Sequence, residues 1–144
     1  MTRLPPTATK TLLIALPDPS VVLQLRQELS PEEFAIFSAA NPELRIERAA
    51  DGTVTLMSPV STLSGDRESE FIADLKIYAR SHGGKAYSSS TGFTLPDGSI
   101  RSPDASYVSA DRLAAVSEEE LRGFADLVPN FVVEVLSPSD SLNE

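Results

Sequence analysis

The run Pro129-Asn130-Phe131-Val132-Val133-Glu134-Val135-Leu136-Ser137-Pro138 sets one carboxylate in the middle of strand-forming apolar residues. Phe, Val and Leu favour a half-buried or buried pleated strand. Glutamate is rarely fully buried without a partner. An unpaired buried carboxylate shifts its pKa or stays neutral. Glu134 therefore calls for a cation, a hydrogen-bonding network or an open cleft. A second acid lies upstream in Arg101-Ser102-Pro103-Asp104-Ala105-Ser106-Tyr107-Val108, where Asp104 opens another short β-like run. Two acids on two strands can meet at a metal ion.

Composition narrows which ion. The chain has no cysteine and a single histidine, His82. Thiolate and multi-histidine sites are excluded, so any metal is held by oxygen, which favours Mg²⁺, Mn²⁺ or Ca²⁺. The lack of cysteine also suits a reducing cytoplasm, the expected location. No apolar run approaches the roughly 20 residues of a membrane span, and Met1-Thr2-Arg3-Leu4-Pro5-Pro6 lacks the features of a signal peptide. At 144 residues, 41% hydrophobic and 23% charged, the chain is long enough for one globular domain. A net charge of −9 counts against broad phosphate-backbone binding by a basic surface.

Local signals order the elements. Residues 11–16 form a short apolar run flanked by prolines, which suits an edge strand. Ser30-Pro31-Glu32-Glu33 predicts a helix start, ending before Asn41-Pro42. Leu44–Arg48 and Thr53–Met57 flank Asp51-Gly52 and predict a hairpin. From Ser64 to His82, Phe71, Ile72, Leu75, Tyr78 and Ala79 fall at helical spacing and predict a core-facing stripe. Glu47 and Glu68 could assist a metal site from the hairpin and the long helix but read first as solvated strand and helix positions, and Arg101 could contact phosphate but reads first as a solvated or ion-paired surface residue. His82 suits the C-terminus of its helix, and Gly83-Gly84 stops it. Strands are expected over 85–88, 92–95, 104–108 and 130–136, with a turn at Pro96-Asp97-Gly98 and a short helix over 117–121. Asp140 reads as the cap of a further helix. The pattern predicts an α/β (mixed α+β) fold, a central mixed sheet flanked by helices.

If Asp104 and Glu134 face each other across a ladder, two bare carboxylates at ~4 Å repel by about 4 kcal/mol at an effective dielectric of 20. A divalent cation reverses that repulsion, and the carbonyl of Val135 would serve as a further hard-oxygen ligand.

With these residues in view, the chain resembles the Uma family of restriction-endonuclease-like proteins, within the PD-(D/E)xK nuclease superfamily. The resemblance rests on Ser102-Pro103-Asp104, on Val132-Val133-Glu134-Val135-Leu136-Ser137-Pro138-Ser139-Asp140, on Asp51-Gly52 with Met57-Ser58-Pro59, and on the segment Ser89 to Gly98. It covers Pro31 to Glu144, leaving residues 1–30 as an N-terminal extension before a nuclease-like domain over 31–144. It implies a restriction-endonuclease-like fold and Mg²⁺- or Mn²⁺-dependent hydrolysis of DNA phosphodiesters. Asp104 and Glu134 match the two metal-binding acids. The superfamily's lysine, two residues after the second acid, is Leu136 here. Relatives continue through a further helix and strand, so the expectation is a domain shortened at its C-terminus. Lys76 or Lys85 could supply the missing positive charge, although no sequence signal places either at the site. The alternative is a catalytically inactive nuclease-like module acting in protein interaction or dimerisation, with a homodimer as the expected assembly.

Overall fold

The computed structural model describes residues 24–25 and 28–136. The expected strand over 11–16 and the expected cap at Asp140 lie outside the described residues.

Helix α1 (Pro31–Ala40) begins where its sequence dictates. Ser30 Oγ accepts from the Glu33 amide while the Glu33 carboxylate accepts from the Ser30 amide at 2.8 Å, so two otherwise orphaned donors are satisfied reciprocally. The predicted hairpin forms from β2 (Ile46–Arg48) and β3 (Val54–Leu56), with Arg48 opposite Val54. Asp51 Oδ1 accepts from the Thr53 amide, and Gly52 takes the left-handed conformation the turn needs. β1 (Gln24–Leu25) pairs with the outer edge of β3. β5 (Phe93–Thr94) and β6 (Ile100–Arg101) complete a five-stranded sheet in the order β1-β3-β2-β6-β5.

Helix α2 (Thr62–His82) packs on a second sheet of three strands, β4 (Lys85–Ser88), β7 (Ala105–Val108) and β8 (Phe131–Val133), in the order β4-β7-β8. The Tyr107 hydroxyl donates to the Gly83 carbonyl at 2.9 Å, and its ring meets Tyr78 edge-on. Gly84 has φ +82°, and a Cβ there would collide with the Val108 carbonyl. Only glycine lets β4 start this close to β7. A short helix α3 (Ala110–Ala114), capped by Ser109, follows β7. The helix expected over 117–121 is a 3₁₀ turn at Glu120–Arg122, closed by reciprocal Ser117–Glu120 hydrogen bonds.

The fold is mixed α/β: two antiparallel sheets and three helices. Among the described residues its parallel component is the single bridge from Thr94 to Asp126. One core gathers Phe34, Ile46, Val54 and Ile100, the other Phe93, Val108, Ala125 and Leu127. Phe93 belongs to the first sheet but packs in the second core, which joins the two; Phe124, its ring tilted with its centroid 5.4 Å from that of Phe34, packs on the first core beside Ala125 of the second.

Two packing expectations need correction. Of the α2 stripe, Ala79 is buried and Ile72 and Leu75 are half-buried, but Phe71 and Tyr78 are 45% and 48% exposed. Three strands cover only one flank of a helix this long. The apolar run at the C-terminal end is also not buried. β8 is an edge strand, with Phe131 and Val132 about half exposed.

Charge is buried inside the first sheet at Arg48, which is 7% exposed. Its Nε donates to the Leu29 carbonyl at 2.6 Å and its Nη1 to the Gly98 carbonyl at 2.5 Å. One guanidinium thereby ties the chain entering α1 to the turn between β5 and β6.

Candidate active site

Asp104 immediately precedes β7, and Glu134 immediately follows β8. The two strands pair antiparallel, Tyr107 with Phe131, Ser106 with Val132 and Ala105 with Val133. One further step in the same register sets Asp104 opposite Glu134. Directly opposed residues share a face, with Cα atoms about 4.5–5.5 Å apart. The two acids singled out from the sequence are thus cross-strand neighbours. Asp104 Oδ2 accepts a hydrogen bond from the Val135 amide at 2.6 Å. Val135 therefore meets the site through its N–H, not through the carbonyl expected from the sequence.

Two further carboxylates stand near this pair. Glu47, in the middle of β2, accepts from the Ser102 amide at 2.7 Å and from the Arg101 guanidinium at 3.1 Å. Glu68 projects from α2 and is 7% exposed, with its Oε1 buried and without a partner. Neither residue is a solvated surface position. The signal for Glu68 was present in the spacing: 68, 72, 75 and 79 trace one helical stripe, and Ile72, Leu75 and Ala79 face the second sheet. An acid on an otherwise apolar stripe marked the covered flank better than Phe71 did.

The electrostatic consequence shows at Glu134, whose pKa is pushed up to about 7. Partial burial of the carboxyl is the largest cause, followed by the charges of Asp104 and Glu47; the Asp104 backbone amide opposes the rise, and Glu68 adds to it. Desolvation and like charge both disfavour the ionised form. The residue as a whole stays exposed, so solvent screens part of the repulsion.

Among the described residues, neither Lys76 nor Lys85 forms an ion pair with the acids. Lys76 Nζ donates to the Ala86 carbonyl at 2.6 Å. Lys85 pairs with Val108 at the far end of β7, whereas Ser88 pairs with Ala105 beside Asp104. Arg101 is the cation at hand, half exposed and bound to Glu47. His82 lies in the last turn of α2 and stacks on Tyr78, away from the acids in sequence and in fold.

Among the described residues, no three His, Cys, Asp or Glu side chains converge on a single point closely enough to hold a metal ion. The acids ring the end of β7 without closing on it. Their chemistry nevertheless suits a hard cation: every donor is oxygen, one buried oxygen lacks a partner among the described residues, and the pKa of one carboxyl is raised by burial and by its acidic neighbours. No helix among the described residues is long and apolar enough to cross a membrane.

No curated protein matches the chain. Residues 31–144 match the model of the Uma2 family, described as "Putative restriction endonuclease". The match spans α1, both sheets from β2 onward and all four carboxylates, and identifies a nuclease-like domain. A helix, a hairpin, a long helix and an acid pair carried by two neighbouring strands are the architecture of a restriction-endonuclease-like fold, and the chain belongs to the Uma2 family.

Proposed function

We propose that this domain is a metal-dependent nuclease acting on DNA phosphodiesters, with Asp104 and Glu134 as its metal-binding acids. The observation that carries the reading is their cross-strand opposition at the open end of the second sheet. Asp104 and Glu134 would supply carboxylate oxygens from one face, while Glu68 stands near them on α2, its buried oxygen without a partner among the described residues, and does not complete a three-acid cluster. A bound Mg²⁺ or Mn²⁺ supplies Lewis-acid polarisation of a phosphoryl oxygen and a lowered pKa for a coordinated water. Glu134, whose pKa is pushed up to about 7, chiefly by burial, would release its proton on binding a cation. The Val135 amide orients Asp104 by fixing one of its two oxygens.

Manganese titration by calorimetry, with plasmid nicking as the activity readout, tests this. Wild type is expected to bind Mn²⁺, and Asp104→Ala and Glu134→Ala to bind it at least about 10-fold more weakly. Equal affinity in all three proteins would defeat the reading.

A second reading is a non-catalytic module for protein interaction or dimerisation. It is favoured by Leu136, which stands where the superfamily has lysine, and by the exposed apolar residues Val128, Phe131, Val132 and Leu136 around β8. Mn²⁺ binding without nicking under any divalent ion, together with concentration-dependent self-association, would favour it.

A further inference from the structure

We propose that Glu47 is a positioning residue for Asp104, a strap from the first sheet that fixes the crossover on which Asp104 is carried into the second. The inference rests on the reading of Asp104 as a metal-binding acid.

Glu47 sits in a three-residue strand, paired with Thr55 on one side of the first sheet. Both of its carboxylate oxygens are used, and neither partner belongs to its own hairpin. Oε1 accepts from the Ser102 amide and Oε2 from Arg101 Nη1. These partners lie where the chain leaves one sheet for the other. Arg101 ends β6, where it pairs with Phe93, and Ala105 opens β7, where it pairs with Ser88 and Val133. Only Ser102, Pro103 and Asp104 lie between.

Each link of this short crossover is fixed. The Ser102 amide is held by Glu47. Pro103 is buried and its ring fixes φ. Ala105 is already in the ladder. Asp104 is left with little freedom beyond its own rotamer, which the Val135 amide selects. The Glu47 side chain is 14% exposed, so its bonds are charge-assisted in surroundings that water screens poorly.

Two conservative variants separate reach from charge. Glu47→Gln keeps the length and an oxygen to accept from Ser102. Glu47→Asp keeps the charge but falls one methylene short. The probes are Mn²⁺ affinity of the full chain and the ¹H–¹⁵N signals of the Ser102 and Val135 amides. If Glu47 acts by position, Glu47→Gln stays within about threefold of wild-type affinity with both amide signals in place, while Glu47→Asp moves both signals and weakens Mn²⁺ by about tenfold or more, the range seen for residues that orient metal ligands. The reverse order, wild-type behaviour in both variants, or equal loss in both would overturn the inference. If wild type itself binds no Mn²⁺, the cation reading fails separately. The Val135 signal still decides the strap: it must move in Glu47→Asp and not in Glu47→Gln.

Discussion

Glu47 and Arg48 are neighbours on β2, yet they serve opposite kinds of region. Arg48 is a buried cation in a finished environment, bound to two backbone carbonyls on either side of the first sheet. No charge is left over that would attract a ligand. Around Glu47 the account is reversed. Four carboxylates, Glu47, Glu68, Asp104 and Glu134, share one corner with one half-exposed arginine, and a buried oxygen of Glu68 has no partner. A closed polar cluster rigidifies a fold, whereas a cluster with excess charge and an orphaned acceptor raises the energy of the unliganded state. The difference separates a charge that serves folding from charges that serve binding.

The sharpest way to break this contrast is at Arg48. Arg48→Met keeps much of the volume but strips the Leu29 and Gly98 carbonyls of their charged donor. We expect a loss of about 3 kcal/mol in chemical denaturation, since each such bond is worth roughly 1.5–3 kcal/mol. Little effect on Mn²⁺ affinity should accompany it. A variant as stable as wild type would show that the Arg48 cluster is not a structural tie.

The opposite sign is expected at the acid corner. Glu68→Gln removes a buried negative charge while preserving shape. It should raise stability by about 1 kcal/mol, the lower range for relieving an unsatisfied buried group, and weaken Mn²⁺ binding. Destabilisation with unchanged Mn²⁺ affinity would place Glu68 with Arg48 as a fold residue.

The smallest effect concerns pH. The Glu134 pKa lies above its ordinary value, so between about 4.5 and 7 the unfolded chain loses this proton before the folded one does. The folded state is favoured below that window, and the advantage is lost as pH rises through about 7. Because the residue is exposed, the loss should be on the order of 1 kcal/mol or less. Denaturation series between pH 4 and 8 should show this slope in wild type and not in Glu134→Gln. Parallel curves for the two proteins would contradict it.

How much of this was legible in the sequence depended on how local the signal was. The capping boxes at Ser30 and Ser117 and the Asp51-Gly52 turn are written in three or four adjacent residues, and the structure forms each of them. β6 escaped notice because two residues, Ile100 and Arg101, are too few to show a period. α3 escaped because five residues make barely more than a turn. The opposition of Asp104 and Glu134 was accessible, since each opens or ends a β-like run, and antiparallel pairing brings such positions together. The environment of Glu68 was not read correctly, because periodicity reveals a stripe but not which flank a small sheet will cover. Glu47 was the least accessible: its partners are more than fifty residues away in sequence, at the end of neighbouring β6 and at the start of the crossover that follows it.

The acid pair is divided unequally between its supports. Asp104 adjoins β7, which is paired on both sides, but Glu134 adjoins β8, three residues long and, among the described residues, paired only to β7. Short strands paired on one side open more readily than central ones, on timescales that amide hydrogen exchange can follow. A ligand gripping both carboxylates would therefore also splice the margin of the sheet to its centre, slowing exchange at Phe131 to Val133. Occupancy of the two carboxylates and integrity of that margin would become a single thermodynamic event.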